Sequence, residues 1–133
     1  EMMEFNHIGI FVKSLDIGRL KLSEILEIKK WSKPVVDSIQ GVTVQFGYDS
    51  SNICYELVAP SSKINPVDNI LKDGKNILNH VAYKVDNIDE AIKKLQNSNN
   101  ILITGPVKAK AFQDKKIAFL FTQLRFIIEL IEK

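Results

Sequence analysis

The sequence predicts an α+β fold built from two βαβββ modules, and three observations carry that reading. The first is an internal repeat. At a single offset of 73 residues, Asn6-His7-Ile8 falls on Asn79-His80-Val81, Asp16 on Asp89, Lys21-Leu22 on Lys94-Leu95, Phe46 on Phe119 and Glu56-Leu57 on Glu129-Leu130, without a gap. The second is the period-two alternation of apolar residues in most segments, and the third is one helix-period segment after the first strand of each half. Two copies are too few for a solenoid, which needs at least about three units to bury a continuous core. A facing pair of modules is expected, with a curved, mostly antiparallel sheet around a metal-binding cup and one helix per module on its outer face.

The elements follow in order. Phe5 to Val12 is a β-rich run, and Ser14 caps a helix from Leu15 to about Glu27 whose Leu15, Leu22, Ile25 and Leu26 share a face. Gly18 inside that helix costs up to about 1 kcal/mol relative to Ala, so it is the weaker of the two helices. Strands are expected at Ile28 to Ser32, Gly41 to Tyr48 and Ile53 to Val58. Asn65-Pro66 then opens a connector helix with Pro at its first position, and Gly74 closes it. In the second half Leu78 to Val85 is a strand, Asn87 starts a helix with Glu90 three residues on as a capping box, and strands follow at Ile101 to Val107, Lys116 to Phe121 and Phe126 to Ile131. Asp16 and Asp89 sit in matching first turns, where a carboxylate meets the positive end of the helix dipole. The domain is expected to span 1-133, with module 1 over about 5-60, the connector over about 64-74 and module 2 over about 77-133.

Strand alternation decides which side chains meet. His7, Gly9 and Phe11 share one face of the first strand, and His80, Ala82 and Lys84 share the equivalent face in the second half. Glu56 lies between Cys54 and Val58, and Glu129 between Ile127 and Ile131. A glutamate in such a strand is costly to bury unless it is paired, hydrogen-bonded or bound to metal. Either histidine alone would be read as a packed core residue, and either glutamate alone as the partner of Arg125 or Lys84. The chain has only two histidines, however, and 80 − 7 = 129 − 56 = 73. One explanation covers both pairs: His7, Glu56, His80 and Glu129 hold a divalent ion, with the mixed nitrogen and oxygen set suiting Ni, Co, Zn, Mn or Fe.

Composition excludes several classes. The formal charge of +2 leaves no footprint for nucleic acid, and Lys29-Lys30 and Lys115-Lys116 are only pairs. No apolar stretch approaches the roughly 20 residues of a membrane helix, and Glu1-Met2-Met3-Glu4 has no basic run or apolar segment of a secretory signal, so a cytoplasmic protein is expected. The single Cys54 excludes an internal disulfide and fits a reducing compartment.

Asn6-His7-Ile8-Gly9-Ile10-Phe11-Val12-Lys13, Tyr55-Glu56-Leu57-Val58-Ala59-Pro60, Asn79-His80-Val81-Ala82-Tyr83-Lys84-Val85-Asp86-Asn87-Ile88 and Ile127-Ile128-Glu129-Leu130-Ile131-Glu132 together resemble the vicinal oxygen chelate superfamily, which includes glyoxalase I, methylmalonyl-CoA epimerase, bleomycin-resistance proteins and extradiol dioxygenases. The resemblance implies paired βαβββ modules and a divalent ion held by His7, Glu56, His80 and Glu129, with open positions for water or substrate oxygens. Glu56-Leu57-Val58-Ala59-Pro60, the connector helix and Ile117-Ala118-Phe119-Leu120 look most like the epimerase branch. The implied chemistry is proton transfer α to a carbonyl or acyl thioester, with the metal stabilising the developing enolate and Glu129 or Glu56 moving the proton.

This chain also departs from its relatives. Phe11 stands where glutathione-using glyoxalases commonly carry an arginine, and Thr43-Val44-Gln45 offers no carboxylate where some epimerases have a second base. Ala111-Phe112-Gln113-Asp114 and Phe121-Thr122 replace the glycine-rich segment and His-Pro that flank the penultimate strand in many epimerases. The expectation is a metal-dependent, methylmalonyl-CoA epimerase-like enzyme acting on a small carbonyl or acyl-thioester substrate. The alternatives are a glyoxalase I-like isomerase (a lactoylglutathione lyase) and a non-catalytic binding protein of the bleomycin-resistance type. An extradiol oxygenase is disfavoured because a fourth ligand accompanies the His, His, Glu set. Glu129 is favoured as the base and Glu56 as the permanent ligand, on the ground that Arg125 places a cation near the final strand whereas its counterpart is Asn52. Cys54 is expected to line the cup as a small apolar residue, Lys84, Lys108 and Lys110 are candidates for substrate phosphates, Trp31 and Tyr48 are assigned to a pocket wall or a dimer face, and a homodimer is expected by fold analogy.

Overall fold

The computed structural model describes residues 2–133; Glu1, where the N-terminal run read for a targeting signal begins, lies outside them. The chain is α+β and divides into two compact units. One spans His7–Asn79, and the other His80–Lys133 together with the start of the first strand. Among the described residues no helix is long and apolar enough to cross a membrane.

The first unit contains β1 (Glu4–Phe11), α1 (Leu15–Ile25), β2 (Ile28–Trp31), β3 (Val35–Asp37), β4 (Val42–Asp49), β5 (Cys54–Pro60) and α2 (Val67–Asp73). Its strands run in the order β2-β4-β5-β1, with β3 also paired to β4. β1 and β5 are parallel, and the other pairings are antiparallel. Ser14 caps α1 by accepting from the Ile17 amide at 3.2 Å, which satisfies one of the amides left over at a helix start. The helix ends at Ile25, short of the expected Glu27, and Ile25 is exposed rather than on the packed face. Leu26 leaves the helical path for extended backbone, and that ends the helix two residues early.

Gly18 has a packing reason. A Cβ there would lie 2.9 Å from Val12 Cγ1 and 3.1 Å from Leu57 Cδ1, so α1 sits closer to the strands beneath it than any side chain permits. The propensity lost at Gly18 is exchanged for contact with a fully buried Leu57. Arg19, one residue on, donates to Gln45 Oε1 at 2.6 Å, and Gln45 Nε2 donates to the Ser32 carbonyl at 2.6 Å. That chain pins α1 to β4 and to the end of β2.

Two further details of this unit differ from expectation. The short strand β3 was not foreseen; Lys33-Pro34 interrupts the path between β2 and β3, and proline has no amide to donate to a ladder. Pro66 stands just before α2 rather than at its first residue, and Asn65 Oδ1 caps the helix by accepting from Val67 and Asp68 amides. Gly74 closes it at φ 70°, a left-handed turn that glycine adopts without penalty.

The second unit contains β6 (Leu78–Val85), α3 (Ile88–Asn97), β7 (Ile101–Ala109), a 3₁₀ turn (Lys110–Phe112), β8 (Lys115–Phe121) and β9 (Ile127–Glu132). Its strand order is β6-β9-β8-β7, with β6 and β9 parallel. β7 runs two residues beyond the expected Val107, since Lys108 and Ala109 continue the ladder to Lys116 and Lys115. Asn87 caps α3 through the Glu90 amide at 3.1 Å, the expected half of the capping box. Ile88, Ala91 and Ile92 of α3 pack with Ala118, Leu120, Ile128 and Leu130 on one face of the strands. Leu130 is fully buried, and burying such a side chain is worth about 1.5–3 kcal/mol. The opposite face carries a separate cluster of Ala82, Ala109, Ile117 and Ile131, flanked by Phe119, Val107 and Phe112.

Candidate metal centre

Each unit holds one buried histidine–glutamate pair, built the same way. In the first unit, parallel pairing sets Ile8 beside Tyr55 and Gly9 beside Glu56, which leaves His7 and Glu56 on one face of adjacent strands. His7 Nε2 is 3.2 Å from Glu56 Oε1, and both side chains are buried. The Phe46 ring meets the imidazole edge to face, with centroids 5.8 Å apart at 74°. In the second unit, His80 Nε2 is 3.1 Å from Glu129 Oε1, again buried, and the Phe119 ring meets His80 at 5.3 Å and 79°. Phe46 and Phe119 are themselves separated by 119 − 46 = 73, so the repeated unit is His, Phe and Glu. The shared offset exposed this phenylalanine pair in the sequence, but only the ring contacts give it a role.

These pairs suit metal ligation. Two ligand atoms each about 2.1 Å from one ion, at angles between square and tetrahedral, are about 3.0–3.4 Å apart. Both observed separations lie in that range. Imidazole nitrogen and carboxylate oxygen, each removed from water, form the borderline donor set that divalent first-row metals prefer. All four predicted ligands are thus buried, and in each unit the expected histidine faces the expected glutamate. Neither glutamate is answered by Arg125 or Lys84. The Arg125 guanidinium lies over the Phe121 ring at 5.6 Å from its centroid.

Beside Glu56 stand Tyr48 and Cys54, whose counterparts at the 73-residue offset are Phe121 and Ile127. Tyr48 stands opposite Cys54 in the antiparallel register. Burial pushes the Cys54 thiol up to about 11, with the Glu56 charge adding in the same direction. Cys54 therefore remains a neutral thiol near neutral pH, as expected of a residue lining the site. Burial also raises the Tyr48 phenol, with the neighbouring Cys54 adding in the same direction. Trp31 covers Gly47, where a Cβ would meet its ring at 2.6 Å. Of the lysines singled out in the sequence, Lys110 is paired with Asp114 at 3.2 Å and Lys108 is exposed. Lys84 lines a cavity together with Lys115, a residue the sequence had not marked.

Comparison with solved structures gives close matches in fold. A hypothetical protein from Bacillus halodurans C-125 superposes with a TM-score of 0.84 at 24% identity, covering 100% of this chain and 96% of that one. Methylmalonyl-CoA epimerase from Mycobacterium tuberculosis has a TM-score of 0.77 at 19% identity, over 97% of this chain and 87% of that one. The Streptomyces coelicolor methylmalonyl-CoA epimerase in complex with 2-nitronate-propionyl-CoA has a TM-score of 0.77 at 18% identity, over 100% and 99%. At such identities the likeness establishes the shared fold. Comparison with curated proteins gives no match. The family model of the glyoxalase/bleomycin resistance protein/dioxygenase superfamily matches residues 6–119, which include both histidines, Glu56 and both phenylalanines, and the chain belongs to that superfamily.

Proposed function

We propose that this protein is a divalent-metal-dependent enzyme that moves a proton at a carbon next to a carbonyl or thioester, in the manner of an epimerase, with His7, Glu56, His80 and Glu129 as the metal ligands. The observation that carries this reading is the duplication of a buried His–Glu pair at one offset, in a chain of this superfamily. The epimerase folds among its structural neighbours support the reaction class. Bound to these residues, the ion supplies Lewis-acid stabilisation of negative charge developing on the substrate oxygen, worth several kcal/mol.

The remaining work falls to the chain. Phe46 and Phe119 shield the imidazoles and hold their planes. Glu129 takes the α-proton and returns it, while Glu56 stays as the more permanent ligand. Support for that division comes from the strand neighbours: Glu129 lies between apolar Ile127 and Ile131, whereas Glu56 follows Cys54, which stands opposite Tyr48. Arg125, engaged with Phe121, plays no part in it. The epimerase-like reading stands ahead of the glyoxalase-like one because Phe11 is buried and offers no charge to a glutathione carboxylate.

The test is metal analysis of the purified protein, followed by incorporation of deuterium from solvent into the α-position of methylmalonyl-CoA and propionyl-CoA. About one divalent ion per chain and metal-dependent exchange are expected. Retention of Ni or Co by the double variant His7→Ala, His80→Ala at parental affinity would end the reading. Tight substrate binding without exchange, with or without metal, would assign the chain to the binding-protein class instead.

A further inference from the structure

Along β1, β4 and β5 the face that carries the first histidine–glutamate pair reads His7, Gly9, Phe11; then Val42, Val44, Phe46, Tyr48; then Cys54, Glu56, Val58. The antiparallel register sets Val44 beside Val58, Phe46 beside Glu56 and Tyr48 beside Cys54. Apart from the proposed ligands, the Tyr48 hydroxyl and the Cys54 thiol are the only side-chain donors among these described residues. Thr43 and Gln45 alternate to the other face, where Gln45 is engaged by Arg19 and the Ser32 carbonyl. Of the two donors, a thiol is the weaker and Cys54 is buried, whereas Tyr48 is half-buried and carries a full O–H. Tyr48 is also diagonal to Glu56 across the strand pair, a Cα separation of about 7–8 Å that lies within reach of an aromatic side chain.

The repeat gives an internal control. In the second unit Phe119 stands beside Glu129 and Phe121 beside Ile127, the same register. Phe121 is the counterpart of Tyr48 (121 − 48 = 73), and Ile127 is that of Cys54 (127 − 54 = 73). One backbone pairing is therefore built once with a phenyl ring and once with a phenol, both half-buried. Packing accounts for the ring, which is common to the two units, but not for the hydroxyl. A hydroxyl partly withdrawn from water on an apolar wall costs free energy unless it is hydrogen-bonded. Burial raises the Tyr48 phenol, so it keeps its proton near neutral pH and can donate.

The proposed reaction develops negative charge on a substrate oxygen. A donor already in place where that charge appears favours the transition state over the bound substrate. We propose that the Tyr48 hydroxyl donates a hydrogen bond to the substrate oxygen on which the charge develops, so that the two His–Glu pairs are flanked unequally. The identity of that oxygen rests on the proposed reaction; the donor rests on the register and the repeat.

The test compares Tyr48→Phe, which copies the second unit, with Tyr55→Phe. Tyr55 precedes Glu56 but faces the other way, and its hydroxyl donates to Asp49 Oδ2 at 3.2 Å. Calorimetry on preparations of known metal content measures two probes: propionyl-CoA, whose acyl group is neutral, and the nitronate of 2-nitropropionyl-CoA, an anion with the shape of the enolate. Exchange of the α-proton of propionyl-CoA is followed in deuterated solvent. The parent is expected to bind the nitronate at least about tenfold more tightly than propionyl-CoA. Tyr48→Phe should lose about tenfold or more in nitronate affinity and less than about threefold in propionyl-CoA affinity. Its kcat for exchange should fall by about 10²-fold with KM little changed, the pattern of an interaction made in the transition state. Metal content and melting temperature should match the parent, and Tyr55→Phe should leave both affinities and kcat within about twofold.

Parental nitronate affinity in Tyr48→Phe overturns the proposal. So does an equal loss of both probes, which would mean that the wall was disturbed rather than the donor removed, and so does a parent that does not distinguish the nitronate from propionyl-CoA. If Tyr48→Phe loses the nitronate preference in protein that takes up no metal or exchanges no proton, the donor stands and the proposed reaction falls. If metal-dependent exchange is present and Tyr48→Phe leaves it unchanged, the reaction stands and the donor falls.

Discussion

Removing the proposed ion should cost measurable stability, and the size of the effect can be worked out. His7, Glu56, His80 and Glu129 are all buried, so the donor set is assembled by folding and is scattered in the unfolded chain. An ion that binds only the folded form stabilises it by RT ln(1 + [L]/Kd), or about 2.7 kcal/mol when the free ion is at 100 times Kd. The unfolding entropy of a globular chain is about 2.1 cal/mol/K per residue, which for this length comes to ~0.28 kcal/mol/K. The midpoint should therefore rise by about 10 °C between chelated and saturated protein. Differential scanning calorimetry with EDTA, then with added Ni, Co, Zn or Mn, measures it. His7→Ala and His80→Ala should each shrink the rise to a few degrees, because each takes one nitrogen donor from the set. A parent midpoint that no divalent ion moves would refute the reasoning, and so would a rise in the double variant as large as in the parent.

Glu129→Gln should keep much of the bound metal while abolishing exchange of the substrate α-proton, a loss of about 10²–10⁴-fold for a missing general base. Exchange at the parental rate in that variant, with Glu56→Gln inactive yet metal-loaded, reverses the assignment. Gly18→Ala gains up to about 1 kcal/mol of helix propensity but forces a methyl against Val12 and Leu57, and overpacking costs roughly 1–3 kcal/mol. A lower melting temperature by a few degrees is expected, and a higher one would mean α1 can retreat from β5. Gln45→Leu removes the link between Arg19 and the Ser32 carbonyl and should cost about 1–3 kcal/mol in urea unfolding, with metal content unchanged.

The sequence by itself determined the paired modules, the α+β class and the four side chains of the proposed centre. The reason is physical: two copies of one supersecondary unit keep register, so a single offset carries His7 to His80, Phe46 to Phe119 and Glu56 to Glu129. Period-two alternation then tells which neighbours share a face. Tertiary packing decided what periodicity cannot encode. Gly18 reads as a weak point in a helix until the nearness of Val12 and Leu57 shows why no side chain fits there. Arg125, close to Glu129 along the chain, turns onto Phe121, because a turn aims its side chains by backbone geometry rather than by spacing. Lys115 is an ordinary surface lysine in the sequence; only the pairing of β8 with β9 and of β9 with β6 puts it on one cavity with Lys84. Charge on a strand is legible from the chain, but the partner that answers it is fixed by residues distant in sequence, and that is settled only when the strands pair.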